Sequence, residues 1–165
     1  MMRKRPSEAA FEKGLDALRD RRAMEALESF KAALELEPQG QPTNLRTKYS
    51  SFLGLALTLA YGATDESERL CENAARRGFV DPDLFCNLGI VYLRRRRKKE
   101  AFQAFAEALK LAPSHERTLT ELSRFDRRRK PVLPFLPRQH ALNTALGRIR
   151  HRISPRVAPE PEDLP

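Results

Sequence analysis

The sequence predicts an all-α fold in which helical hairpins stack into a solenoid. Ala, Leu, Glu and Arg, which favour helices, are abundant, while Trp is absent and Gly occurs only 7 times in 165 residues. Apolar residues recur at helical spacing. A segment that begins at Gly and ends at Pro occurs twice with the same length, from Gly14 to Pro38 and from Gly89 to Pro113. Such copies at a fixed spacing are typical of repeat architectures.

The clearest hairpin covers residues 83–113. Its first half follows the spacing aromatic-x2-Leu-Gly-x2-Tyr at Phe85, Leu88, Gly89 and Tyr92, and its second half follows A-x3-F-x2-A-x4-P at Ala101, Phe105, Ala108 and Pro113. Together these positions resemble one complete tetratricopeptide repeat. The resemblance implies two antiparallel helices, with the small residues at their closest approach and the large side chains filling the space around them.

A second copy of the pattern lies near the start of the chain. Its matching positions are Gly14, Ala17, Ala26, Phe30, Ala33 and Pro38. Lys13 stands where the clearest hairpin has Leu88, and the apolar stripe of this first helix is one residue out of phase, so its register stays open. Ser7 is the predicted N-cap, with Glu8 in the first turn.

A weaker copy lies between the other two. It is carried by Leu53, Gly54, Leu57, Ser67, Cys71 and Ala74, and Gly78 is the predicted C-cap of its second helix. Gly54 follows Gly14 by 40 residues and precedes Gly89 by 35, against about 34 in the family. We assign the additional residues to the loop 39–44 and to the turn 61–66. Asp81, Pro82 and Asp83 then give the next hairpin a clear start.

After Pro113 the sequence predicts one more helix, starting at Ser114, that closes the end of the stack. Its apolar side would be formed by Leu119, Leu122 and Phe125, and its solvent side by Glu116, Arg117, Arg124 and Arg128. A Pro-rich apolar segment and an amphipathic basic helix follow, and the apolar face of that helix would be formed by Leu142, Leu146, Ile149 and Ile153. We expect the Pro-rich segment to fold back over the stack, and this helix to cover apolar surface of the repeats or of a second copy of the chain.

The predicted domain organisation follows from these segments. A basic flexible N-terminus (1–6) precedes a tetratricopeptide-like repeat domain (7–130), with hairpins at about 7–38, 45–78 and 83–113 and a capping helix at 114–129. The rest is a Pro-rich linker (131–137), the amphipathic basic helix (138–153) and a disordered tail (154–165).

Positive charge is concentrated in the second half of the chain. The net charge is +9, and the excess lies in residues 83–152. Two runs stand where consecutive first helices would end, so they are predicted to share one edge of the stack, with their side chains in solvent. The predicted basic patch consists of Arg94, Arg95, Arg96, Arg97, Lys98 and Lys99, together with Arg127, Arg128, Arg129 and Lys130.

Three interpretations of this patch remain open. Simple solvation explains cations at a helix C-terminus, where the dipole favours them. Lys98 and Lys99 instead stand at the start of the next helix, where the dipole disfavours cations. An acidic protein partner, or nucleic acid or anionic lipid, would explain them.

The first helices of the hairpins also present a predicted partner groove. Alignment to the complete repeat gives its lining as Phe11, Leu15, Leu18, Lys48, Ser51, Leu55, Thr58, Cys86, Asn87, Ile90 and Leu93. The set is mostly apolar, which favours an apolar peptide or helix as the ligand. Asn87 matches an Asn that some tetratricopeptide domains use to hold a carboxylate, but the ordinary repeat pattern also has Asn there. Those domains have a Gly-Asn step in the first repeat, whereas Gly14 is followed by Leu15.

The sequence does not indicate a secretory signal, a membrane span, a metal site or a catalytic site. The first residues, MMRKRP, lack the apolar stretch of a secretory signal, and the longest apolar run, 52–61, is about half a membrane span. Cys71 and Cys86 have no metal spacing and are predicted to be buried thiols of a cytoplasmic protein. The three His residues show no ligand spacing, and no catalytic motif is recognisable.

We therefore predict a non-enzymatic scaffold or adaptor that binds another protein through the groove and the basic patch, with neither cofactor nor metal. The alternative is electrostatic binding to nucleic acid or to an anionic membrane surface through 94–99, 127–130 and the helix 138–153. Self-association through 138–153 is a further prediction.

Overall fold

The computed structural model describes residues 4–38, 44–78 and 80–126, and within these ranges it contains seven α-helices and no strand. The helices are α1 (Pro6–Arg19), α2 (Ala23–Leu36), α3 (Asn44–Tyr61), α4 (Asp65–Arg77), α5 (Pro82–Arg94), α6 (Lys98–Leu111) and α7 (Glu116–Asp126). Consecutive helices pair into three hairpins, α1 with α2, α3 with α4 and α5 with α6. The predicted all-α hairpin solenoid is confirmed.

The hairpins stack in chain order. Helix α3 packs against α2 of the first hairpin and against α5 of the third, while α5 also packs against α4. Helix α7 packs against α5 and α6 at the end of the described stack. The second basic run (127–130), the linker (131–137), the amphipathic helix (138–153) and the tail (154–165) lie outside the described residues.

Some helix ends follow from local sequence and others do not. Asp81 caps α5 by accepting a hydrogen bond from the Asp83 N–H at 2.9 Å, Pro82 takes the first helical position, and Gly78 is the C-cap of α4, as predicted. The predicted cap at Ser7 is wrong, because α1 already begins at Pro6. Ser7 is buried inside the first turn and donates to the Glu37 carboxylate at 2.8 Å, a partner 30 residues away.

The capping helix also starts later than predicted. It begins at Glu116 rather than at Ser114. The intervening residues form a turn in which the His115 N–H donates to the Ala112 carbonyl at 3.0 Å.

Glycine marks the closest approach within the hairpins. A Cβ added to Gly89 would lie 2.6 Å from Cδ1 of Phe105, and one added to Gly14 would lie at the same distance from Cδ1 of Phe30. Real Cβ atoms do not approach other atoms so closely, so only Gly fits. The shared geometry fixes the register of the first repeat, because Gly14 plays the part of Gly89.

The first hairpin and α3 share an aromatic core. Phe11, Phe30, Tyr49 and Phe52 form an aromatic cluster with ring centroids 4.8–5.5 Å apart. It joins α1, α2 and α3 into one packed unit. In the third hairpin, Phe105 is fully buried.

Both cysteines belong to the interior. Cys71 and Cys86 are free and buried, as predicted. Burial raises the pKa of Cys71 to about 12, so its thiol stays protonated at neutral pH.

None of the helices in the described part of the chain has the length and apolar character needed to cross a bilayer.

Candidate partner-binding surfaces

The structure corrects the predicted groove lining. More than half of the predicted residues are buried and have no side-chain surface to offer a ligand, and these are Phe11, Ser51, Leu55, Thr58, Cys86 and Asn87. Neighbouring helices bury these side chains, and alignment to a single repeat does not take those neighbours into account. The side chains of the predicted set that remain partly exposed are Leu15, Leu18, Lys48, Ile90 and Leu93.

Asn87 is one of the predicted groove residues that are buried. Its Nδ2 donates to the Ser51 hydroxyl at 3.1 Å, and its Oδ1 accepts from Nη2 of Arg117 at 2.8 Å. Both ends of the amide are therefore bonded within the protein, and the side chain is fully buried. Asn87 connects α3, α5 and α7, which is a structural role.

The partly exposed apolar residues pack against two clusters of the core. Leu15, Leu18 and Ile90 pack against the core cluster that α1, α2 and α3 share. Ile90 also packs, together with Leu93, against the core cluster of the third hairpin. Ile90 thus packs against both clusters, and we call the partly exposed residues Leu15 and Leu18 of α1 and Ile90 and Leu93 of α5 the apolar groove.

A charged cluster lies where α3, α5 and α7 meet. Asp83 pairs with Arg117 and lies 3.4 Å from the Lys48 ammonium and 3.4 Å from Nε2 of His115. Lys48 also lies 3.3 Å from Asp81. The cluster links three consecutive first helices, and its pairing across such long sequence separations has no local signal in the sequence.

Arg117 was expected to face solvent, and that expectation is wrong. Its guanidinium pairs with Asp83 and Asn87 and lies 5.1 Å from the ring centroid of Phe52. The side chain thus reaches from α7 across α5 to the aromatic cluster. Its planar fork suits this combination of ion pair and ring contact.

The neighbouring charges change the acidity of Asp83. Burial alone would raise the pKa of this carboxyl group, but Arg117, Lys48 and His115 outweigh burial and lower its pKa below the ordinary value. A folded-state pKa that lies below the unfolded value stabilises the fold above the unfolded pKa, about 3.9 for Asp. This stabilisation is lost as the pH falls through the folded-state pKa.

We therefore expect the melting temperature to fall as the pH is lowered from about 5 to about 3, and to fall less steeply for Asp83→Asn. Thermal denaturation followed by circular dichroism at several pH values measures both slopes. Asp16→Asn, which removes an exposed carboxylate of α1, is the control and should keep the wild-type slope. Equal slopes for Asp83→Asn and the wild type would contradict the assigned role.

The basic run on α5 and α6 divides into two groups. Arg95 and Arg97 turn toward α4, where both pair with Glu68, whose side chain is only 11% exposed. Arg95 also pairs with Asp65, and Arg97 lies 4.5 Å from the ring centroid of Tyr92. The expectation that Arg95 lies in solvent is wrong, because the acidic first turn of α4 binds it.

The other four cations of the run point away from the protein. Arg94, Arg96, Lys98 and Lys99 are exposed. Among the described residues, none of the four has an ion-pair partner. A count of charges in the sequence does not reveal this division, because the division depends on α4 lying beside the turn.

Tyr92 is committed to the same inter-helix network. Its hydroxyl donates to the Glu72 carboxylate at 2.7 Å. Burial and the bond to Glu72 both raise the pKa of Tyr92, so the hydroxyl remains a donor at neutral pH.

Across the described ranges, no group of three or more His, Cys, Asp or Glu side chains could hold a metal ion.

Comparison with known proteins agrees with this geometry. Residues 82–115 match the family model described as tetratricopeptide repeat. One similar solved structure is the Arabidopsis OM64 TPR domain, with a TM-score of 0.55 and 21% sequence identity, covering 72% of this chain and 92% of that one. No curated protein matches the chain. The resemblance predicted from the sequence is confirmed, and tetratricopeptide repeats generally mediate protein–protein interaction.

Proposed function

Because residues 82–115 match the tetratricopeptide repeat and the described chain has the fold of a tetratricopeptide domain, we propose that this protein is a non-enzymatic scaffold or adaptor that binds another protein. The partner contacts the apolar groove and the basic patch. The observation that supports the proposal is that Ile90, itself partly exposed, packs against both the core cluster of α1, α2 and α3 and the core cluster of α5, α6 and α7.

The chemistry of the groove favours an apolar peptide or helix as ligand. Leu15, Leu18, Ile90 and Leu93 leave part of their apolar surface in water, and covering such surface is favourable by about 25 cal/mol per Å². The side chains lie on helices, which hold them in place before the ligand arrives. A preordered surface of this kind costs less entropy on binding than a flexible one.

The test replaces two groove residues and compares them with matched surface residues. Leu18→Gln with Leu93→Gln is expected to reduce partner recovery about tenfold, because loss of a buried apolar anchor costs on the order of 1–2 kcal/mol. Leu36→Gln with Leu111→Gln is the control, since these exposed leucines hold equivalent places on the second helices α2 and α6. Affinity purification from the native cell, followed by mass spectrometry, measures recovery. Equal recovery with both variants would contradict the groove proposal.

A second candidate function is electrostatic binding to nucleic acid or an anionic membrane surface. It is favoured by Arg94, Arg96, Lys98 and Lys99, which have no ion-pair partner among the described residues. It is disfavoured by Tyr92, whose ring lies against Arg97 and is not free to stack on a base. Steep salt dependence of binding would support this candidate, and a salt-tolerant stoichiometric complex would support the first.

The remaining parts of the proposal concern setting and organisation. Cys71 and Cys86 are free thiols, which suits a cytoplasmic protein. The division into a repeat domain, a linker, an amphipathic helix and a tail remains a proposal, as does self-association through 138–153. The linker, the amphipathic helix and the tail lie outside the described residues.

A further inference from the structure

The turn between α5 and α6 has a structural twin between α1 and α2. In the first turn Arg21 has φ 60°, and in the second Arg96, 75 positions later, has φ 62°. The Arg22 N–H donates to the Ala17 carbonyl at 2.8 Å, and the Arg97 N–H donates to the Tyr92 carbonyl at 2.9 Å. The chain therefore builds the same backbone turn twice.

The two turns differ in their side chains. Asp20, Ala23 and Met24 of the first turn are replaced by Arg95, Lys98 and Lys99 in the second. In the first turn, Arg19 pairs with Asp16, and Arg22 pairs with Asp20 and Glu25. Since the first turn folds without lysines at these places, the backbone does not require Lys98 and Lys99. At the start of α6 the helix dipole disfavours cations, so the dipole does not explain why Lys98 and Lys99 are there.

The structure also holds the second turn in place. Nε of Arg95 donates to Glu68 at 2.8 Å, and Arg97 pairs with the same carboxylate. These two arginines attach the turn to α4. The four remaining cations, Arg94, Arg96, Lys98 and Lys99, are exposed and have no ion-pair partner among the described residues. We call these four residues the basic turn.

We propose that the basic turn is a docking site for a short acidic segment of a partner protein, an inference that rests on the proposed protein-binding function. Four cations within six residues match a short run of carboxylates. An extended polyanion would also meet the first turn of α4, where Asp65 is 81% exposed and Glu66 is exposed as well. Asp65 is paired with Arg95, but Glu66 has no ion-pair partner among the described residues and would repel a phosphate backbone or an anionic bilayer that extended past the turn, whereas a short peptide need not reach it. The charge around the turn thus favours a short acidic peptide.

A charge-matched pair of full-length variants tests the site. The test variant carries Arg96→Gly, Lys98→Ala and Lys99→Ala. The control variant carries Arg21→Gly, Lys13→Ala and Lys31→Ala, which removes the same charge and makes the same Gly substitution at the same backbone conformation. Both should fold, because Gly suits a positive φ and Ala favours helix. Melting curves verify this.

The probe is a fluorescently labelled ten-residue glutamate peptide, followed by anisotropy. We expect the test variant to bind it about tenfold more weakly than the wild type, and the control variant less than about twofold more weakly. Lys98→Gln with Lys99→Gln, which leaves Arg96 in place, should give a smaller fall in the same direction. Parallel titrations use a 20-nucleotide oligothymidylate and vesicles containing phosphatidylserine.

Several outcomes would overturn the site. One is an equal loss in the test and control variants, which would indicate only general charge attraction. Another is a larger loss for the oligonucleotide or the vesicles than for the peptide, which would show a different class of partner. The result is independent of the groove experiment, because the peptide titration leaves Leu18 and Leu93 unchanged. The two experiments therefore distinguish failure of the basic-turn proposal from failure of the groove proposal.

Discussion

Phe105→Ala is expected to lower the free energy of unfolding by about 3–5 kcal/mol, the range typical of a fully buried Phe. Phe105 is 0% exposed. Its ring fills the space opposite Gly89 and lies 6.5 Å, between centroids, from the ring of Phe102. Removing the ring leaves a cavity that two helices joined by a short turn cannot easily close. Small domains have total stabilities of about 5–15 kcal/mol, so the variant would lose a large fraction.

Urea denaturation followed by circular dichroism measures this loss. Phe30→Ala should cost a similar amount, because Phe30 fills the equivalent space opposite Gly14 in the first hairpin. Leu111→Ala is the control, since this leucine is 41% exposed on the same helix, and surface substitutions usually change stability by about 0.5 kcal/mol or less. A loss below about 1 kcal/mol for Phe105→Ala would contradict the assigned packing of the third hairpin.

The fold could be predicted from the sequence because its determinants are local and repeated. Gly89 and Phe105 stand 16 residues apart within one hairpin, and Gly14 and Phe30 repeat that spacing. A helix cap such as Asp81 likewise depends on residues within one turn. The prediction at Ser7 failed because α1 begins at Pro6, with Arg5 at the N-cap, and the Ser7 hydroxyl donates instead to Glu37, 30 residues away.

The candidate binding surface was harder to predict because it depends on contacts between hairpins. Helical periodicity shows that Phe11 and Leu55 lie on apolar faces, but it does not show that neighbouring helices bury both. A count of positive charges likewise does not reveal that Glu68 binds Arg95 and Arg97. The surface is therefore defined by what the stack leaves exposed, which the sequence pattern of one repeat does not contain.

Gly89→Leu is expected to destabilise the third hairpin by about 1–3 kcal/mol through overpacking. The first added atom, Cβ, would already lie 2.6 Å from Cδ1 of Phe105. The ring has little freedom to move aside, because it is fully buried. An opposing effect exists, since replacing Gly in a helix gains up to about 1 kcal/mol of helix propensity. The clash should win, because neither the ring nor the α5 backbone can move without opening the hairpin.

A double-mutant cycle separates the clash from propensity. Gly89→Ala and Phe105→Leu should each destabilise the protein, but the combined variant should lose less than the sum, by about 0.5 kcal/mol or more, because the smaller side chain makes room for the new Cβ. Propensity acts on α5 alone and is the same in both backgrounds, so it cancels from the coupling. Urea denaturation of all four proteins gives the coupling energy. Strict additivity would mean that Gly89 and Phe105 do not meet, and the hairpin geometry proposed for residues 82–115 would then be incorrect.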